Sequence, residues 1–220
     1  MEEYIKNQND SSNEKDFELA HIIGINSNVS NCVQASPSMS ETILYPVGGI
    51  VIVEDLKEKN NQIFFRHGKN QISAFRISRR GTLIAVGFVT ENLEKKFPTS
   101  IILWNYETKS VLYEFTGITK GVSILEFSPD DKFLAASGLD CSFYIWEIET
   151  GVKAFSRIYE VRLNFICWTN MFYEGKKPNY SLVTSNVNSI NYFYFFYELS
   201  SMQYSMKNNK FTLPNTGNNY

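Results

Sequence analysis

A chain of 220 residues with 43% apolar and 15% aromatic content can bury a sizeable core, and the aromatic share favours strands. Its formal net charge is −2 and its basic residues gather only into doublets such as Arg79-Arg80, Lys95-Lys96 and Lys176-Lys177. That argues against nucleic-acid binding, which needs a cluster of Lys and Arg to displace counterions, and the longest aromatic run, Tyr192 to Tyr197, falls far short of the ~20 residues that span a bilayer.

In chain order, residues 1–16 are predominantly polar and cannot support a core; residues 207–220 share that composition, so both are expected as tails. Residues 17–206 carry a repeated pattern. In residues 17–66 it runs through Cys32-Val33, a Ser36-Pro37-Ser38 turn, Ile43 to Pro46 and Ile50 to Glu54. Residues 67–115 repeat the order with Ile72, Ser78-Arg79-Arg80-Gly81, Leu83 to Gly87 and, after a longer loop from Glu91 to Ser100, Ile101 to Trp104. Residues 116–158 show it most clearly, in Val122, Phe127-Ser128-Pro129-Asp130, Leu134 to Gly138, Asp140 and Trp146. In residues 159–206 it is eroded to Phe165 to Thr169, Leu182 to Ser185 and Tyr192 to Tyr194, with an insertion expected from Tyr173 to Pro178.

The apolar-x-Trp strands ending at Trp104 and Trp146 lie 42 residues apart, a period that marks stacked supersecondary units. Ser128-Pro129-Asp130 is turn chemistry between short strands, and Asp140 lies in the next turn, where a carboxylate accepts backbone N–H bonds. This order is that of the WD-repeat blade. The predicted fold is therefore all-β, a partial WD-repeat β-propeller of about four antiparallel four-stranded blades, probed most simply as an open arc of a larger ring. Propellers use about 4–8 blades to protect their strand edges, and an open arc has two exposed ends. Such a chain is expected to be a fragment, a half that pairs with another chain, or stable only within its assembly. The aromatic strand at Tyr192 to Tyr197 is expected to be buried between two blades.

Catalysis needs a nucleophile with a base, a metal cluster or a phosphate cradle, and none of these patterns is present. The only histidines are His21 and His67, there is no Cys-x-x-Cys spacing, and no Gly-rich phosphate motif occurs, so no catalytic residue, metal or cofactor is expected. Cys32, Cys141 and Cys167 follow no signal peptide and are expected to be small buried residues in a reducing interior. The sequons at Asn9, Asn28 and Asn179 carry no weight in an asparagine-rich chain. His67 follows Arg66 at the place where a WD-repeat blade has Gly-His. In WD repeats that histidine joins a buried hydrogen-bond set with a serine or threonine, the turn aspartate and the tryptophan. Here the set is divided. The second blade has His67 and Trp104 without the aspartate, and the third has Ser137, Asp140 and Trp146 with Ile118 in the histidine's place.

One stretch is more particular than the repeat. Leu44-Tyr45-Pro46-Val47-Gly48-Gly49, Arg76-Ile77-Ser78-Arg79-Arg80-Gly81, Ala85-Val86-Gly87-Phe88-Val89-Thr90 with its following loop, and Ile101 to Tyr106 resemble a family of cilia- and flagella-associated WD-repeat proteins that lie inside axonemal doublet microtubules. The resemblance runs from about His21 to Phe165 and covers the opening blades of the first of that family's two propellers. It implies a non-enzymatic structural protein of the cilium or flagellum, placed on the axoneme and cytoskeleton in the cytoplasm. Its implied partners are tubulin and neighbouring inner proteins, with no nucleic acid, membrane or small-molecule substrate. Contacts would spread over loops such as Glu91 to Thr99 and Met171 to Pro178, with Lys95, Lys96, Lys176 and Lys177 meeting acidic tubulin surfaces. The alternative reading is a soluble WD-repeat adaptor or scaffold subunit of a cytosolic complex.

Overall fold

The structure, a computed structural model, describes residues 21–29, 31–58, 61–68, 70–89, 99–175 and 177–209. Residues 1–16, expected as a tail, and residues 210–220 lie outside this set. Among the described residues there is no helix; sixteen strands form four separate antiparallel meanders, each strand paired with the next in the chain. The first sheet holds β1 (Gln34–Ala35), β2 (Thr42–Val47), β3 (Ile50–Asp55) and β4 (Gln62–Arg66). The second holds β5 (Ile72–Ile77), β6 (Leu83–Phe88), β7 (Ile101–Asn105) and β8 (Val111–Phe115). β9 (Val122–Phe127), β10 (Phe133–Gly138), β11 (Ser142–Glu147) and β12 (Lys153–Ile158) form the third. β13 (Phe165–Glu174), β14 (Lys177–Ser185), β15 (Ile190–Glu198) and β16 (Gln203–Asn209) form the fourth.

The strand sequences follow from their place in the stack. Second and third strands of the middle sheets are covered on both faces, so β7 reads Ile101-Ile102-Leu103-Trp104 and β10 reads Phe133-Leu134-Ala135-Ala136, continuous apolar runs in place of alternation. Outer strands meet water: β12 leaves Lys153, Ser156, Arg157 and Ile158 exposed. Three apolar seams hold the stack together. In the first, Leu44, Val51, Val53 and Phe65 face Ile84, Val86, Ile102 and Trp104. In the second, Ala85, Ile101, Leu103 and Phe115 face Leu125, Phe127, Leu134 and Trp146. In the third, Phe133, Phe143 and Ile145 face Trp168, Tyr180, Leu182, Phe193 and Phe195.

The innermost strands β5, β9 and β13 lie side by side, so the sheets fan around one hollow. Among the described residues, no strand of the first sheet packs to a comparable extent on the fourth, and the sheets form an arc that does not close into a ring. The indoles of the second and third blades sit against the preceding blade's outer strand: Trp104 meets Phe65 edge-on at 5.9 Å, and Trp146 stacks on Phe115 at 5.0 Å.

Two expectations are corrected in the fourth blade. The insertion around Tyr173 to Pro178 is not a loop. β13 and β14 continue as a paired hairpin through Phe172↔Asn179, Tyr173↔Pro178 and Glu174↔Lys177. Gly175, at φ 66°, supplies the left-handed turn, and the aromatic residues before it favour strand. The aromatic run is not buried on both faces either. Phe193 and Phe195 fill the third seam, whereas Tyr192, Tyr194 and Phe196 on the other face are only partly buried, because among the described residues no fifth sheet covers them.

Candidate functional site

Strand alternation divides the connections between two ends of the arc. One end carries the first turn of each sheet, including Ser78–Thr82, Ser128–Lys132 and Gly175; the other carries the β6–β7 loop, the Asp140 turn and the links between sheets. At the first end a serine hydroxyl closes the turns of the second and third sheets. Ser78 Oγ accepts from Leu83 N at 3.2 Å, and Ser128 Oγ accepts from Phe133 N at 2.9 Å while donating to Asp130 Oδ1 at 2.8 Å. Both serines are fully buried, so these bonds satisfy groups that water cannot reach.

The same end carries polar ties between blades that the sequence pattern did not announce. Asp131, in the left-handed region at φ 61°, extends its carboxylate to the second blade, accepting from Arg79 N at 2.7 Å and Arg80 N at 2.8 Å. Its neighbour Asp130 faces the other way and accepts from the Tyr180 hydroxyl of the fourth blade at 2.9 Å. Burial, followed by that bond to Asp130, pushes the Tyr180 phenol well above its ordinary range. The signal available in the sequence was the doubled aspartate after Ser-Pro, but spacing alone does not say that one carboxylate serves each neighbour.

At the inner surface Arg76 and Glu126 form a bidentate pair across the second seam, with Nε to Oε2 at 2.9 Å and Nη2 to Oε1 at 3.0 Å. Arg79 adds a longer contact at 3.6 Å. Burial raises the Glu126 carboxyl, and the two guanidinium groups pull against it without cancelling it. This pair lines a hollow of about 150 Å³ with Asn31, Phe75, Ile124 and Cys167. Its charges are already matched, and among the described residues no group of three or more His, Cys, Asp or Glu could hold a metal.

The residues of the expected blade network are only partly brought together. Asp140 accepts from Thr119 N at 2.6 Å, Thr119 Oγ1 at 2.7 Å and Ser142 N at 3.1 Å, and it also accepts from the Ser142 hydroxyl. Burial would raise its carboxyl; the donors outweigh burial and hold it below the usual carboxylate range. Thr119 thus does the work for which Ile118 lacks a polar group. Ser137, expected in this set, is not in it: its hydroxyl is buried without a hydrogen-bond partner among the described residues, because Ser142 is the serine that reaches Asp140. His67 is exposed and stands edge-on to buried Trp104 at 6.4 Å, an aromatic contact in place of a buried hydrogen bond.

Lys95, Lys96 and Lys176 lie outside the described residues. Lys177 is exposed on β14, with Nζ 5.2 Å from the Tyr197 ring centre, at the end of the arc that carries Gly175. Val89 and Thr99, which flank the β6–β7 loop, sit at the opposite end. The Asn179 sequon is closed off, since Asn179 is 9% exposed and its amide donates to Glu174.

Four consecutive four-stranded meanders, serine-closed turns and a tryptophan on the third strand of the middle blades make the chain a WD-repeat partial β-propeller. A model described as "WD domain, G-beta repeat" matches residues 109–147. Among curated proteins the chain is similar to human cilia- and flagella-associated protein 52, at 33% identity over 135 residues, 60% of this chain and 21% of the relative. It is also similar to mouse echinoderm microtubule-associated protein-like 4, at 27% identity over 56% of this chain and 12% of that one. The chain therefore spans about a fifth of the length of the ciliary relatives it matches. Among solved structures, Hsv2 of Kluyvelomyces marxianus superposes with a TM-score of 0.60 at 14% identity, over 83% of this chain and 58% of that one. That likeness concerns the fold alone.

Proposed function

We propose that this chain is a non-enzymatic structural protein of cilia and flagella. It binds tubulin and neighbouring proteins inside the axonemal doublet microtubule and stabilises the doublet. The observation that carries this reading is the similarity over 135 residues to cilia- and flagella-associated protein 52. The named function of the mouse relative, a microtubule-associated protein, points the same way. A scaffold role fits the chemistry as well. WD-repeat propellers are typically non-catalytic, and the strongest polar constellations here, at Asp140, Asp131 and Arg76–Glu126, are consumed in holding turns and seams.

The test is to tag the chain in a ciliated cell, strip the axonemes with detergent and high salt, and follow it by fractionation. Retention with the doublets is the expected outcome. Release with the membrane and matrix fraction, or absence from cilia, would replace this reading with the soluble adaptor. A second arm addresses electrostatics. Because Lys177 and the described flanks of the β6–β7 loop, Val89 and Thr99, lie at opposite ends, the pairs Lys95/Lys96 and Lys176/Lys177 are reversed to Glu separately in microtubule co-sedimentation. One pair should weaken binding and flatten its salt dependence while the other leaves both unchanged. If neither pair has an effect, the lysines are not the contact.

A further inference from the structure

We propose that Ser38 is a phosphorylation site, and that its phosphate latches the turn of the first blade to the arginine pair of the second. The next seam already has such a latch. Asp131 reaches from the third blade to the Arg79 and Arg80 amides, so an anion joins these two turns. Gly81 holds the same position in the second blade: its φ is 74° beside 61° for Asp131, and its N–H donates to Ser78 O at 3.0 Å as that of Asp131 donates to Ser128 O at 3.0 Å. It has no carboxylate to offer, and a Cβ built there would fall on the Ser38 side chain. The first two blades are tied at their inner strands, where Gln34 Nε2 donates to Phe75 O at 3.0 Å and Gln34 Oε1 accepts from Ile77 N at 3.1 Å. Among the described residues no anion joins their turns.

The surroundings of Ser38 are positive. Pro37, beside it, lines a hollow of about 430 Å³ with Arg76, Arg79 and Glu126, two guanidinium groups against one carboxylate. Arg76 holds that carboxylate through two bonds, whereas Arg79, with a side chain 51% exposed, meets it only at 3.6 Å. Arg80, next to Gly81, is exposed and forms no ion pair among the described residues. A phosphoserine carries a charge of about −1.5 to −2 and three strong acceptor oxygens, which suits a pair of guanidinium groups left with donors to spare.

Accessibility selects Ser38 among the hydroxyls of this end. Residues 36–41 join β1 to β2 without strand structure, and the bond from Ser36 N to Thr42 O spans six residues where those from Ser78 N to Leu83 O and Ser128 N to Phe133 O span five. Ser38 is exposed in this looser turn. Ser36 is partly buried and its hydroxyl accepts from Met39 N, Ser128 is fully buried, and Thr82 sits in the turn whose arginine amides Asp131 already binds. Glu41 stands three residues after Ser38, the spacing that acid-directed serine kinases read with a basic cleft, whereas Ser40 has Ile43 at that distance. The contact of Glu41 with Lys57 is an exposed pair, which exchanges readily. In the reaction Ser38 Oγ attacks the γ-phosphorus of a nucleoside triphosphate held by the kinase. The bond from that phosphorus to the bridging oxygen breaks, the hydroxyl proton passes to the kinase's base, and a nucleoside diphosphate leaves.

Incubation of the full chain with the acid-directed casein kinase 2 and ATP, followed by peptide mass mapping, should place phosphate on Ser38. A chain carrying phosphoserine at position 38, installed during translation, should exchange amide hydrogens about tenfold more slowly than the parent in residues 36–41 and 78–82. Arg79→Ala with Arg80→Ala keeps the backbone amides that Asp131 binds, and in that chain the phosphoserine should slow nothing. A Ser38 left unmodified by the kinase overturns the proposal. So does exchange that the phosphate leaves unchanged or accelerates, or that it slows equally in the chain without the two arginines.

Discussion

Asp140 gathers Thr119 and Ser142 around one carboxylate, joining the link that enters the third blade to the turn between its middle strands. Its carboxyl lies below the ordinary range in the folded chain, so its contribution to stability has a definite sign. It is present above the unfolded value of about 3.9 and is lost as pH falls through the lower folded value. Asp140→Asn should cost about 1 kcal/mol in urea unfolding at pH 7, and the gap from the parent should narrow as pH falls below about 4. A gap that is constant from pH 7 to pH 3 would mean that the charge of Asp140 is not what its donors stabilise. Asp140 was legible in the sequence as a turn residue. Its partner Thr119 was not, because the repeat pattern draws the eye to position 118, where histidine is absent.

Between elements, β6 approaches β9 closely. A Cβ added at Gly87 would overlap the Val122 side chain, and the adjoining bridge between Val89 and Gly121 holds the two blades at this spacing. Gly87→Ala should therefore cost about 1–3 kcal/mol by overpacking, and Gly87→Ala with Val122→Ala should lose less than the two single changes added together. Urea unfolding of the four chains measures that difference, and simple additivity would place the strain elsewhere. The strands themselves could be read from the sequence wherever both faces are buried, as in Ile101 to Trp104 and Leu134 to Ala136. The fourth blade was harder. The insertion around Tyr173 to Pro178 looked like a loop because the repeat allows only about six residues per strand there, but β13 and β14 lengthen together, and paired lengthening cannot be told from a loop in a one-dimensional alignment. The uncovered side of β15 was also hidden, since an aromatic run looks the same whether one face or two are covered.

For the molecule as a whole, each sheet packs on its immediate neighbours, so stability is set by local seams more than by one shared centre. Hydrogen exchange should be slowest in β6, β7, β10 and β11, which have a sheet on each side. It should be faster in β15 and β16, which among the described residues have a sheet on one side. Equal protection across the four sheets would contradict a stack held by nearest-neighbour seams. The adjacent carboxylates of Asp130 and Asp131 give that stack a direction. Asp131 binds the Arg79 and Arg80 amides of the second blade, and Asp130, besides the Ser128 hydroxyl and Lys132 amide of its own turn, binds the Tyr180 hydroxyl of the fourth. Alike as they are in outline, the blades are therefore not interchangeable modules. A third blade moved to either flank would lose the Arg79 and Arg80 amides from Asp131 and the Tyr180 hydroxyl from Asp130, so each aspartate is matched to one neighbour, the first to the successor and the second to the predecessor.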